Sequence, residues 1–233
     1  MIHERSDCRC CHSTDIVGVF NLGEQPYANS YVASDQLEVP QPTAPLSLME
    51  CSVCGHVQLR HVVSDLYSDY PFLTSSSVRM VEHFARLMND GVNAFVGDKG
   101  LVVEIGSNDG AALETIQRKD VRRVGIDPAE NLAAMAWDRG VISLPRCFGK
   151  QTAEEVVSFY GTADLIVACN VLGHVDDLDD FCEGVNVLMS ADGALIVEVP
   201  DVYQLVNETE FDTIYHEHLS YFSVGPMATL FDR

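Results

Sequence analysis

The run "FDTIYHEHLSYFS", residues 211–223, places Tyr215, His216, Glu217, His218 and Tyr221 within seven positions. Imidazole titrates near neutrality, and phenol and carboxylate groups are natural partners for it. The combination suits moving a proton to or from a bound molecule. The same run could equally form a satisfied polar network at a sheet edge, and spacing alone does not separate the two.

A second constellation is built from sulfur. Cys8-Arg-Cys-Cys11 and Cys51-Ser-Val-Cys54 are two C-x-x-C pairs with 39 residues between them. Two residues between thiolates let two sulfurs converge on one ion, and two such turns complete a tetrahedral four-thiolate shell. Gly55, just after the second pair, suits a tight turn. A closed shell leaves no position for water, so the zinc predicted here is structural. Cys10 is a surplus sulfur that could replace Cys11, and buried free thiols or a redox pair are the competing readings. Cys147, Cys169 and Cys182 read as core thiols.

The third is "VVEIGSNDGAALETI", which sets Glu104, Gly106, Asn108, Asp109 and Gly110 between an apolar strand and a helix. Glycines let backbone approach a ligand, and a helix N-terminus offers unpaired N–H groups. Neither the G-x-G-x-x-G of dinucleotide folds nor the G-K-[ST] of phosphate loops is present. An acidic residue before the first glycine suits a cationic, amino-acid-bearing ligand such as S-adenosylmethionine (SAM). Asp127 follows 23 residues after Glu104, at the end of "RVGID", about where a carboxylate takes ribose hydroxyls. The competing reading is a packing turn with a polar surface.

The elements that must position these groups follow from the pattern. Residues 1–74 carry the paired cysteines and short β-like runs, "VGVF", "SLMEC" and "HVQLRHVV". Val78, Val81, Phe84, Leu87 and Met88 recur at helical spacing, with Ser75, Ser76 or Ser77 as the cap. From Gly100 apolar strands alternate with helices, which predicts a doubly wound parallel sheet. "VEVP" is its fifth strand, "HLSYFSV" a partial sixth, and "PMATLFDR" a helix whose Met227, Leu230 and Phe231 have no later segment to cover them. The division is a zinc-binding domain over 1–74 and a Rossmann-like, incomplete domain over 75–233, an α/β protein.

Charge narrows the partners. The net charge is −21, and between Gln151 and Asp232 there are 16 acidic residues and no Lys or Arg. Nucleic acid and anionic membranes are disfavoured. That stretch cannot clamp a phosphate with a basic side chain. No apolar run reaches transmembrane length and no secretory h-region is visible, which predicts a cytoplasmic protein.

Together, the paired C-x-x-C, "LGEQPYANSYV", "EIGSNDGAALE", "NVLGHV" and "FDTIYHEHLSYFS" resemble the zinc-containing, SAM-dependent sugar C-methyltransferases. That family methylates the carbon beside the ketone of nucleotide-linked 4-keto-deoxysugars on routes to antibiotic sugars. The resemblance implies a zinc domain, a class I SAM domain and a C-terminal lobe, of which this chain matches the first two. It implies Cys8, Cys11, Cys51 and Cys54 as zinc ligands, and Glu104, Gly106, Asn108, Gly110, Asp127 and Asn170 as the SAM site. It implies a catalytic cluster of His174, Tyr215, Glu217 and His218, with Tyr70 (or Phe72, by register) as a further site residue.

On that resemblance His218 serves as the base that removes the weakly acidic α-proton. Glu217 orients a histidine or binds a sugar hydroxyl, and Tyr215 and His174 donate to the enolate oxygen. No metal is needed there, and His216 and Tyr221 are structural. The rival reading is an inactive remnant, or a zinc- and SAM-binding module that works with a separate C-terminal partner chain or self-associates through its end. A small-molecule O- or N-methyltransferase is a third.

Overall fold

The computed structural model describes residues 1–64, 66, 67 and 70–233. Five strands come first: β1 (Ile2–Glu4), β2 (Ile16–Pro26), β3 (Thr43–Cys51), β4 (Val57–Leu59) and β5 (His61–Val63). Then follow α1 (Val78–Phe95), β6 (Leu101–Ile105), α2 (Ala111–Glu114), β7 (Arg122–Ile126), α3 (Glu130–Asp138), β8 (Ile142–Leu144), α4 (Lys150–Tyr160) and β9 (Ala163–Cys169). The last elements are α5 (Leu178–Leu188), β10 (Met189–Glu198), α6 (Val202–Glu208), β11 (Ser220–Tyr221) and α7 (Val224–Phe231). Among the described residues no helix is long and apolar enough to cross a membrane.

Two units result. The first comprises Met1–Leu66, Leu172–Leu178 and Val199–Arg233; the second comprises Tyr67–Val171 and Asp179–Glu198. In the first, β1 pairs with β5, and a four-stranded antiparallel sheet runs β11-β4-β3-β2. Alternation in "TAPLSLMEC" buries Ala44, Leu46 and Leu48, one face of β3. Leu46, Leu48, Leu59, Val62, Leu219 and Tyr221 share one apolar cluster. This cluster overturns one expectation. "HLSYFSV" is not a sixth strand of the parallel sheet: Ser220 and Tyr221 pair antiparallel with Gln58 and Val57. The alternation that buries Leu219 and Tyr221 suits the small sheet, and its backbone supplies the partners. Leu230 of α7 is buried, also against expectation, whereas Phe231 is 41% exposed.

The second unit is a five-stranded parallel sheet, β10-β9-β6-β7-β8. Every residue of the central β6 is buried, as a strand covered on both faces requires. Helix α1 begins at Ser77, whose side chain accepts from the Met80 N–H. It buries Phe84, Met88, Gly91 and Val92, a single stripe. Gly91 permits close approach, because a Cβ there would lie 3.0 Å from both Leu165 and Ile196. The chain steps outward from β6 through β7 to β8, then returns to place β9 on the other side of β6. The crevice beyond the carboxyl ends of β6 and β9 is therefore the topological switch point, where doubly wound sheets take ligands. Cys147, expected in the core, is exposed in the connection after β8, and Cys169 and Cys182 are half-buried.

Candidate functional site

The sulfurs of Cys8, Cys11, Cys51 and Cys54 lie within 4.8 Å of one another. Cys8 Sγ is 3.6 Å from Cys54 Sγ, and Cys11 Sγ is 3.5 Å from Cys51 Sγ. Zinc–sulfur bonds of about 2.3 Å give tetrahedral edges of roughly 3.8 Å, so the four thiolates fit zinc. The two turns have the same backbone. His12 N–H bonds Cys8 O and Gly55 N–H bonds Cys51 O, each at 2.9 Å, with both donors in the left-handed region (φ 58° and 74°). The sequence marked only the second turn, because a histidine fills the glycine's place in the first. Cys10 is buried but lies outside the cluster of four.

A charge network joins the first zinc turn and the residues just before it to the 172–178 segment. Arg9, 1% exposed, donates Nη1 to Leu59 O at 2.9 Å and Nε to Asp176 Oδ1 at 3.2 Å. Arg5 Nη1 reaches the same Asp176 oxygen at 3.3 Å, and His3 Nε2 reaches Oδ2 at 3.1 Å. Asp176 stands two residues after His174, so the network secures that turn to the cysteine-bearing segment.

In the second unit the loop after β6 is shaped by its glycines. Gly106 has φ 70°, and a Cβ on it would meet Val171 Cγ2 at 2.0 Å. Gly110 has φ 75° and caps α2. Asn108, at φ 50°, donates its backbone N–H to Asp127 Oδ2 at 2.8 Å, and its side-chain oxygen accepts the Thr74 N–H at 2.8 Å. Asp127 Oδ1 accepts the Ala129 N–H at 3.0 Å. Asn170, at φ 57°, follows β9 and donates its N–H to Glu198 O at 2.7 Å. Glu104 is buried, and its Oε2 has no hydrogen-bond partner among the described residues. Burial first, then the charges of Asp127 and Asp109, hold its proton well above the usual carboxylate range. Burial also raises Asp127 against the pull of its two N–H donors. An under-compensated acidic pair at a switch point fits a ligand with cationic groups and ribose hydroxyls, as SAM has.

His174, Tyr215 and His218 come together in the first unit. His218 Nδ1 is 2.8 Å from Thr213 O, and its Nε2 is 2.9 Å from Tyr215 Oη. A carbonyl only accepts, so Nδ1 carries the proton and Nε2 of the neutral ring accepts from the phenol. Burial lowers the His218 pKa, which favours that neutral ring. The His174 ring sits edge-on to it at 4.9 Å and is pushed down to about 4, by burial and then by the His218 charge. Burial, aided by the Glu217 charge, pushes the Tyr215 phenol up to about 12. Glu217 turns elsewhere: its Oε1 accepts from Asn29 Nδ2 at 3.0 Å. His216 bonds Ala44 O at 3.1 Å, and Tyr221 Oη donates to Thr213 O at 3.4 Å.

Tyr70 belongs to the second unit, not to the unit of this cluster. Its backbone exchanges hydrogen bonds with the Asn131 side chain, at 3.3 and 3.0 Å. Phe72 gives its carbonyl to Asn108 Nδ2. Of the stretch "SDYPFLTSS", Ser68 and Asp69 lie outside the described residues. Sequence reasoning missed Asn29, the Thr213 carbonyl and the Arg9–Asp176 pair. Only Asn29 had a signal, since it stands inside "LGEQPYANSYV".

Residues 80–233 match the family model of a methyltransferase domain, and residues 8–66 match that of a zinc binding domain. The chain belongs to the methyltransferase-domain family. Its cofactors are SAM, which this fold takes, and a zinc ion at the four cysteines. The family chain is 36% identical over 229 residues to the C-methyltransferase NovU of Streptomyces niveus. The match covers 97% of this chain and 54% of that protein, so the chain spans about half the length of this curated relative. Among solved structures it resembles a chain of the Haloferax volcanii complex between the Trm112 methyltransferase activator and a methyltransferase. The TM-score there is 0.52 at 14% identity, over 66% of this chain and 69% of that one. It also resembles YcgJ of Bacillus subtilis, with a TM-score of 0.51 at 16% identity, over 65% and 67%. At such identities the two structures speak for the fold alone.

Proposed function

We propose that this chain carries the zinc domain (1–74) and SAM domain (75–233) of a cytoplasmic SAM-dependent C-methyltransferase. Its substrate is a nucleotide-linked 4-keto-deoxysugar of the kind used for antibiotic sugars, methylated through an enolate at the carbon beside the ketone. Cys8, Cys11, Cys51 and Cys54 would hold the zinc. Glu104, Gly106, Asn108, Gly110, Asp127 and Asn170 would hold the SAM. SAM supplies an electrophilic methyl group. His218 takes the α-proton at Nε2 once the Tyr215 hydroxyl turns from that nitrogen to the enolate oxygen, which Tyr215 and His174 stabilise. Glu217 is a further site residue of this cluster, and Tyr70, in the second unit, is a separate candidate.

The observation that carries this reading is the hydrogen-bonded order Thr213 O, His218, Tyr215. Anchoring Nδ1–H on a carbonyl fixes the tautomer whose other nitrogen accepts protons, and burial keeps the ring neutral and basic near pH 7. The neutral His174, hydrogen-bonded to the Glu217 backbone, does not compete as a cation.

The test is solvent exchange. A 4-keto-deoxysugar nucleotide in D2O should lose its α-proton with the wild-type protein, and methyl product should form when SAM is added. His218→Ala should abolish both. Exchange persisting in that variant would assign the base elsewhere, with His174 the first suspect. A module that depends on a further polypeptide is the second reading, favoured by the lack of any Lys or Arg between Gln151 and Asp232 to meet a pyrophosphate. It predicts SAM binding without exchange until that polypeptide is supplied.

A further inference from the structure

The motif "LGEQPYANSYV" has no place in the chemistry so far. It is exposed over much of its length, yet it touches the Tyr215–His218 run twice. The Tyr27 ring meets the His216 ring edge-on at 5.5 Å, and the Asn29 amide reaches the Glu217 carboxylate across 188 residues of chain. Glu217 is 2% exposed, so its charge depends on the groups packed around it.

The residue type at 29 is constrained from two sides. The backbone there is left-handed, φ 59°, a conformation that Gly and Asn tolerate and most residues do not. The Tyr31 N–H closes the turn onto Asn29 O at 3.0 Å. Of the small types that best tolerate it, Gly, Asn and Asp, only Asn offers a neutral N–H donor. An amide N–H fixes the direction of a carboxylate and adds a charge-assisted hydrogen bond while leaving the negative charge in place. A Lys or Arg would cancel that charge.

We propose that Asn29 is a positioning residue for Glu217: its turn and its amide hold the buried carboxylate in the orientation the site uses. This rests on the reading of Glu217 as a site residue. Asn29 acts through that carboxylate, not through the base or the phenol.

Two variants separate the amide from the turn. Asn29→Gly keeps the left-handed backbone and removes the donor. Asn29→Asp keeps shape and turn but replaces the donor with an acceptor about 3 Å from the carboxylate. With the wild type active on the sugar nucleotide, Asn29→Gly should lower kcat about 10- to 100-fold, the worth of a hydrogen bond to a charged group, with little change in KM. Asn29→Asp should lose more at neutral pH. Its turnover relative to wild type should recover as pH falls, because the introduced carboxyl, once protonated, donates as the amide did. Wild-type kcat in Asn29→Gly, or a loss in Asn29→Asp that does not depend on pH, overturns the proposal.

A readout without substrate keeps this apart from the proposed reaction. The Asn29 side-chain amide protons should resonate downfield in the wild type and move upfield in Glu217→Gln, where the acceptor is neutral. If the wild type alone shows no turnover, the reading of this chain as self-sufficient in C-methylation fails and this spectrum still decides Asn29. Identical Asn29 amide signals in the two proteins would dismiss the contact.

Discussion

Replacing Glu104 by Gln should stabilise the SAM-free protein by a margin that grows with pH. Glu104 is 5% exposed, its Oε2 lacks a partner among the described residues, and burial with the neighbouring Asp127 and Asp109 raises its pKa from an ordinary 4.5. A raised carboxyl pKa means that the folded state holds a proton the unfolded chain has released. Below about pH 4.5 both states are protonated and nothing is lost. As pH climbs from there towards the folded pKa, stability falls by about 1.4 kcal/mol per unit. For a protein of this size that is about 3–6 °C of melting temperature per pH unit. Glu104→Gln keeps the shape and removes the titration, while the other carboxylates act alike in both proteins. The two should melt together near pH 4.5 and diverge above it.

SAM has the opposite preference, since its sulfonium and ammonium favour an ionised Glu104. Binding should therefore drive the proton off. Wild-type affinity should rise with pH, and titration calorimetry in buffers of different ionisation enthalpy should register proton release. Glu104→Gln should bind more weakly and release none from this position. A melting difference that stays constant from pH 5 to 8, or binding without proton release, would falsify the argument that Glu104 is the ligand's unpaired counter-charge.

The remaining predictions concern the scaffold. Purified protein should contain one zinc per chain by elemental analysis, and Cys51→Ser should abolish it, because three thiolates leave the shell open. Gly106→Ala should cost about 2–5 kcal/mol in denaturant unfolding, combining left-handed strain with overpacking against Val171. Adding Val171→Ala should recover the overpacking part and not the strain. Asp176→Ala should cost about 3 kcal/mol by leaving the buried Arg9 without its carboxylate, and the His174 ring signals should shift in the same variant. Unchanged His174 signals would show that the network does not secure that turn.

The sequence alone determined what local chemistry dictates. Cys8, Cys11, Cys51 and Cys54 announced a metal centre because two residues between thiolates set the sulfur separation within each turn. "EIGSNDG" announced a ligand loop because left-handed backbone at Gly106 and Gly110 needs glycine. The alternation of apolar strands with helices after Gly100 announced the parallel sheet because period and length differ between the two elements. Each signal spans a few residues and survives without knowing what packs against it.

Tertiary structure decided the rest, because a short segment's partner is chosen by burial and not by its own letters. "HLSYFSV" has the alternation of a strand in either sheet; only Leu219 and Tyr221 entering the cluster of Leu46, Leu48 and Leu59 assigns it to the small antiparallel one. That pairing brings the Tyr215–His218 run into the unit that holds the cysteines, together with His174. Which nitrogen of His218 carries the ring proton depends on the Thr213 carbonyl, a backbone group with no signature in the sequence. Asn29 meets Glu217 across 188 residues, a distance over which residue types carry no register. Spacing could name the groups capable of the chemistry, but only the folded backbone sets their tautomers, partners and charges.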